Sequence, residues 1–194
     1  MKVSRKEVIK LFASNLLKGL LGFAALFIAF LLAKKFIPAD MAEVLESLRD
    51  QKLLVYSIFL GSEIILGLIP PELFMIWGLG SGLAYFIQVV LILAILSYIG
   101  GTIAFYLGRA LYNSHWMDKI KKFESFQEYS NYYQRFGGIL IFISAVTPLP
   151  FALFSFISGS LDYTFKRYIT YAAFRFIRFA FYGYLVWEGA SLTF

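Results

Sequence analysis

The chain alternates long apolar runs with short charged connections, and two of the runs are interrupted at their centres by proline. The first run, 19–33, follows a capping box at Ser4 and Glu7 and stops at Lys34, Lys35 and Pro38. It is long enough to cross a hydrocarbon core of roughly 30 Å, so a spanning helix is expected over 11–35. Asp40 then caps a segment with Met41, Val44, Leu45 and Leu48 on one face, either lying on the outer interface or packed on the protein itself. The run 53–80 is broken at Pro70 and Pro71, which remove backbone donors, and it carries Glu63 and Glu72 in surroundings where a carboxylate is costly. A re-entrant hairpin is expected there, with two half-helices meeting near the bilayer midplane. The run 83–111 reads as a second spanning helix, whose Gly100, Gly101 and Gly108 permit close helix approach.

In 113–136, Trp116, Ile120, Phe123, Phe126, Tyr129, Tyr133 and Phe136 recur every three or four residues among lysines and glutamates. This pattern predicts a basic amphipathic helix along the interface. The run 137–160 repeats the earlier design, an apolar arm, a prolyl turn at Thr147-Pro148-Leu149-Pro150 and a second apolar arm, and predicts a second re-entrant hairpin. A last spanning helix is expected over 165–188.

Composition agrees with this pattern. Of 194 residues, 60% are hydrophobic and 15% charged, against roughly 45–50% and about 25% in soluble domains. The expected fold is an all-α integral membrane protein, a single membrane domain over 1–194. It has about three spanning helices, two oppositely oriented re-entrant hairpins forming an inverted repeat, and interfacial amphipathic helices. The net charge of +6 informs topology. Lys2, Arg5, Lys6, Lys10 and Lys18 crowd the N-terminus, Arg109, Lys119, Lys121, Lys122 and Arg135 crowd the second connection, and 34–52 is balanced. Lys and Arg favour the cytoplasmic side, which puts the N-terminus inside, the first hairpin entering from outside and the second from inside. The expected location is the cell (cytoplasmic, inner) membrane, multi-pass, with an uncleaved signal anchor. The basicity is read as contact with anionic membrane lipids, with no nucleic-acid partner.

Candidate chemistry is sparse. There is no cysteine and the one histidine is His115, so a multi-histidine metal site is excluded. No phosphate-binding glycine loop or nucleophile motif is present, and neither an enzyme nor a cofactor is expected. Arg167, Tyr171, Arg175, Arg178 and Tyr182 follow helical spacing on one face, with Arg175 about 12 Å beyond Arg167 and near the middle of the bilayer. A guanidinium at that depth costs at least ~2.5–3.5 kcal/mol and needs compensation. The compensation is either a hairpin carboxylate, with a structural pair to Glu72 as one form, or an anionic ligand held through parallel hydrogen bonds. Glu63 and Glu72 are balanced between burial, which opposes charge, and a neighbouring arginine, which favours it, and so are candidates for proton coupling or gating. Glu72, directly after the prolyl pair, is the stronger of the two. Glu63 has the alternative of bonding backbone groups freed at the turn. The turn with Thr147, Pro148 and Pro150 offers a hydroxyl and free backbone groups at membrane depth.

Taken in order, Pro70-Pro71-Glu72, Gly100-Gly101-Thr102 with Tyr106-Leu107-Gly108-Arg109, Tyr132-Tyr133-Gln134-Arg135-Phe136-Gly137 and Thr147-Pro148-Leu149-Pro150-Phe151 with an exit at Gly159 resemble the DedA family, the SNARE-associated or VTT-domain membrane proteins. The resemblance covers roughly 53–189. It implies two opposed hairpins and movement of lipid across the bilayer, in bacterial members the return of undecaprenyl phosphate driven by a proton or sodium gradient, in eukaryotic relatives phospholipid scrambling. The family's acidic residues in the first hairpin correspond to Glu63 and Glu72. Many members carry arginines flanking the second prolyl turn. Here those positions are Ser144-Ala145-Val146 and Phe151-Ala152, and Arg175 and Arg178 are the candidate substitutes. The expected function is translocation of an anionic lipid, a polyprenyl phosphate, with Arg175, Arg178, Tyr171 and the Thr147–Pro150 turn meeting the headgroup. The alternatives are a non-coupled phospholipid scramblase and a non-transporting scaffold or assembly factor. The partners are lipid substrate, polyprenyl phosphate or phospholipid, surrounding membrane lipids and, as an open alternative, a second copy in a homo-oligomer.

Overall fold

The computed structural model describes residues 47–191 apart from 49, 66, 68, 80 and 148, with backbone only for 190 and 191. The expected spanning helix 11–35 and most of the segment after it lie outside the described residues. Among the described residues every regular element is a helix: α1 (Lys52–Ile65), α2 (Pro71–Trp77), α3 (Leu83–Tyr112), α4 (His115–Ile120), α5 (Glu124–Val146), α6 (Phe151–Ser160), α7 (Phe165–Ala172) and α8 (Arg175–Ser191).

The axis of the arrangement is α3. It has 30 residues, about 45 Å of helix. Among the described residues it alone is long and apolar enough to cross a bilayer by itself, with mean hydropathy 2.3 over its best window. Only 33% of that window is buried, whereas a soluble core helix of this composition would be hidden. Leu83, Ile87, Leu91, Ile95 and Ile99 face outward. Phe86, Val89, Leu93, Ser97, Gly101, Ala104 and Gly108 face inward.

Two helix–break–helix units insert beside α3 from opposite ends. In the first, α1 runs parallel to the N-terminal half of α3, from Lys52 over the Tyr85 ring to Glu63 against Ser97 and Gly100. The end of α1 is closed by Gly67, whose φ of 63° suits glycine and whose N–H donates to the Ser62 carbonyl at 2.6 Å. Pro71 opens α2 at a position where a missing N–H has no cost. α2 then folds back on α1, Phe74 on Phe59 with ring centroids 4.9 Å apart and Trp77 on Tyr56 at 5.8 Å. In the second unit, α5 and α6 are antiparallel, with the Tyr133 and Ser158 hydroxyls 2.7 Å apart. α6 runs parallel to the C-terminal half of α3, Phe151 at Gly101 and Gly159 at Phe105. Thus α1 and α6 lie nearly end to end along α3, and both breaks come level with Gly100 and Gly101. α7 and α8 run back antiparallel to α3, from Phe165 on Tyr106 through Phe176 on Tyr98 to Trp187 on Phe86.

Glycine sets the closest contact. A methyl group on Gly108 would overlap the Phe156 carbonyl, and one on Gly159 would overlap the Phe105 carbonyl. A backbone oxygen cannot rotate away as a side chain does. Gly108→Ala and Gly159→Ala are therefore expected to sit at the upper end of the roughly 1–3 kcal/mol cost of overpacking. Gly61, also helical, has nothing near its would-be methyl, and Gly61→Ala should leave thermal melting unchanged or slightly raised. Melting curves of the three variants in detergent check this. Equal melting of all three would remove the α3–α6 contact as a constraint.

Two expected helices differ in extent. The single amphipathic helix over 113–136 is instead α4 and the first half of α5, separated by a turn in which the Gln127 amide caps the Lys121 carbonyl and Phe123 is extended. α5 then passes through 136–137 without a break, because Gly137 and Gly138 are packed under the rings of Tyr133, Tyr163 and Tyr171 and lose no helical bond. The single helix over 165–188 is split into α7 and α8 by an overwound turn. Phe174, Phe176 and Ile177 donate three residues back, to Tyr171, Ala173 and Phe174. The buried stripe consequently follows Tyr168, Ala172, Arg175, Arg178 and Phe179. Arg167 does not share the face of Arg175. It is exposed and only grazes the Gln134 carbonyl at 3.5 Å.

Candidate functional site

The two breaks and the start of α8 converge on a pair of buried arginines. Glu63 lies on the last turn of α1, Ser97 at the middle of α3, and Arg175 at the first position of α8. Arg175 Nη2 donates to Glu63 Oε2 at 2.8 Å, and the Ser97 hydroxyl donates to the same oxygen at 2.5 Å. The guanidinium lies 4.3 Å from the Phe151 ring centroid and 5.6 Å from that of Phe179. All three polar groups are buried, at 3%, 0% and 2% exposure for Glu63, Ser97 and Arg175. In such surroundings one charge is tolerated only because the other is present. The pair joins residues 112 apart in sequence and fixes the first break to α8.

Arg178, one turn further along α8, is placed differently. It is 8% exposed, and no carboxylate lies within ion-pair distance among the described residues. Its Nη1 donates to the Thr147 carbonyl at 2.7 Å, and its guanidinium is 5.0 Å from the Tyr182 ring centroid. Among the described residues, Nε of Arg175 and Nε of Arg178 have no partner. Arg178 therefore touches the second break as Arg175 reaches the first. Immediately beyond the break, α6 begins at Phe151 with Pro150 before it. The first amides of a helix have no acceptor within it, and the axial dipole makes this end favourable for negative charge. A cation with a spare donor and a helix start thus flank one break, an arrangement suited to an anion with several oxygens.

Some expected residues take other parts. The carboxylate that meets Arg175 is Glu63, not Glu72, and it bonds a serine and an arginine and not backbone freed at the turn. Glu72 is half-buried in the first turn of α2 and makes no ion pair among the described residues. The Thr147 hydroxyl is spent on the Ile143 carbonyl at 2.6 Å, so the group this residue offers at the break is its carbonyl. Pro150 precedes α6, and its carbonyl accepts from Leu153 and Phe154. Pro148 lies outside the described residues. Tyr171 packs on Gly138 of α5, more than two helical turns from Thr147, and is not brought to the arginines.

Ser97 and the rings of Phe151 and Phe179 escaped the sequence reading. Ser97 had a signal, a lone serine in the run Leu93-Ala94-Ile95-Leu96-Ser97-Tyr98-Ile99. Phe151 was read only as part of the second prolyl motif, and Phe179 had no signal in a chain holding 22 phenylalanines. Among the described residues no cluster of His, Cys, Asp or Glu is arranged to hold a metal.

The family model of the VTT domain matches residues 69–188 of this chain. An uncharacterized protein of Methanocaldococcus jannaschii is 32% identical over 108 residues, covering 56% of this chain and 66% of that protein, just under two thirds of its length. No solved structure matches.

Proposed function

Because the chain belongs to the VTT-domain, or DedA, family of membrane proteins, we propose that it moves an anionic lipid across the bilayer, with polyprenyl phosphate as the substrate. The observation that carries this reading is Arg178, a buried guanidinium with no carboxylate partner among the described residues, at the break before α6. A permanent cation in apolar surroundings is tolerable when an anion visits it, and a phosphate accepts the parallel hydrogen bonds a guanidinium offers. The opposed entry of α1–α2 and α5–α6 beside α3 supports their assignment as re-entrant hairpins. α1 has 14 residues and α6 has 10, about 21 and 15 Å. Each is too short to span alone, and their ends fall where a midplane site is expected. The outward Leu and Ile side chains of α3 and Ile177, Phe181 and Leu185 of α8 offer the isoprenoid tail an apolar surface. Glu63 and Glu72 are the proposed proton-coupling or gating residues.

The experiment is transbilayer movement of polyprenyl phosphate in vesicles containing the purified protein, against empty vesicles, with and without a proton gradient. Accelerated, gradient-dependent movement is expected. Equal acceleration of phospholipids without a gradient would replace this reading with uncoupled scrambling, which the absence of arginines beside the second break on α5 and α6 favours. No acceleration of either would leave a scaffold, with both arginines structural.

A further inference from the structure

Glu63 occupies one donor of Arg175, Nη2, and neutralises its charge. Its Oε2 takes Nη2 of Arg175, and the pair is sealed between Ser97 and the ring of Phe151. One turn along α8, Arg178 has no carboxylate partner among the described residues, and its guanidinium meets the Thr147 carbonyl instead. The two guanidinium groups are thus in unequal states, one neutralised and one available.

We propose that Glu63 and the anionic headgroup compete for Arg175, so that one proton passes from solution to Glu63 for each phosphate bound across Arg175 and Arg178. This rests on the anion-binding reading above and deepens it. The headgroup arrives first at Arg178 and the start of α6, where no carboxylate lies within ion-pair distance among the described residues. To engage Arg175 as well, its oxygens displace Glu63. A carboxylate stripped of its counter-charge, in a pocket where it keeps only the Ser97 hydroxyl, is better accommodated with a proton on it. The proton joins Glu63 Oε2 and no covalent bond of the lipid changes. The other ionisable and charged groups on the elements around the pair are few. α2 contributes Glu72, α7 Tyr168 and Tyr171, and α8 Arg178 and Tyr182. α3 contributes Tyr98 beside Ser97, α5 Tyr133 and the Thr147 carbonyl, and α6 Ser155.

The sign follows from the exchange. Binding that takes up a proton at Glu63 weakens as pH rises. One linked proton corresponds to about a tenfold loss of affinity per pH unit. The phosphate's own titration adds its slope, so the comparison is between wild type and Glu63→Gln. Calorimetric titration of both proteins in detergent with polyprenyl phosphate, repeated over a series of pH values, is expected to show a wild-type slope steeper by about tenfold per unit. The variant should bind at least as tightly at high pH. Inorganic phosphate run in parallel separates a lipid-borne headgroup from the free ion. An excess slope with either probe supports the competition, and equal slopes with both overturn it while leaving the transport reading intact. Failure of both probes to bind at any pH overturns the reading and the competition together. Should Glu63→Gln not fold, wild type alone suffices. Polyprenyl phosphate should raise a carboxylic-acid carbonyl band in the difference infrared spectrum, and the band should persist in Glu72→Gln. Its absence from wild type, or its loss in Glu72→Gln, overturns the role of Glu63.

Discussion

Arg175→Met is expected to destabilise the protein by about 3–5 kcal/mol, the cost of leaving one member of a buried ion pair alone. Glu63 would keep the Ser97 hydroxyl at 2.5 Å but lose its ion-pair partner. It lies at 3% exposure, where water cannot replace what is lost. The effect is not that of a vanished side chain. Methionine retains most of the apolar stem and can rest on Phe151 and Phe179, so packing alone would cost much less. The double variant Glu63→Gln/Arg175→Met removes both charges, and most of the lost stability is expected to return. Melting followed by fluorescence of the buried Trp77 reads all three proteins. A single variant within 1 kcal/mol of wild type, or two effects that simply add, would mean that the pair does not hold α1 to α8.

That pair also marks where sequence reasoning stopped. The apolar run that became α3, the prolyl breaks and the need of Arg175 and Arg178 for compensation were all legible, because each depends on local composition or on the cost of charge in an apolar setting. The identity of the partner was not. Glu63 and Glu72 differ little as sequence signals, and Glu72, beside the prolyl pair, had the more conspicuous position. The choice is made by packing. α1 is parallel to α3 and ends at Gly100, where the absence of a side chain lets the last turn of α1 approach, and this brings Glu63 to Ser97 and Arg175. The face shared by Arg167, Tyr171 and Arg175 was inferred from a regular helical period. The overwound turn at Ala173 and Phe174 breaks that period, and no proline or glycine announces it. The turn gives Phe174 its edge-on contact with Phe142, at 4.7 Å between ring centroids, an interaction across elements that local propensity does not report.

Arg178→Gln is expected to leave the fold intact and to slow lipid movement by roughly 10- to 100-fold, the worth of one or two charge-assisted hydrogen bonds to a phosphate. The contrast with Arg175 follows from their neighbours. Removing the charge of Arg178 strands no carboxylate among the described residues, and glutamine can still donate to the Thr147 carbonyl, so melting should change little. What disappears is a cation with no carboxylate partner among the described residues, beside the start of α6. Arg178→Lys restores the charge without the planar fork and should recover only part of the rate. Vesicle transport and melting measured on the same preparations separate the two effects. A folded Arg178→Gln protein that moves polyprenyl phosphate at the wild-type rate would reduce Arg178 to a clamp on the second break, and the anion would have to be met elsewhere. A folded, slow Arg178→Gln protein whose Arg178→Lys counterpart is intermediate would locate the headgroup contact at this break, because only the charge and its geometry differ among the three.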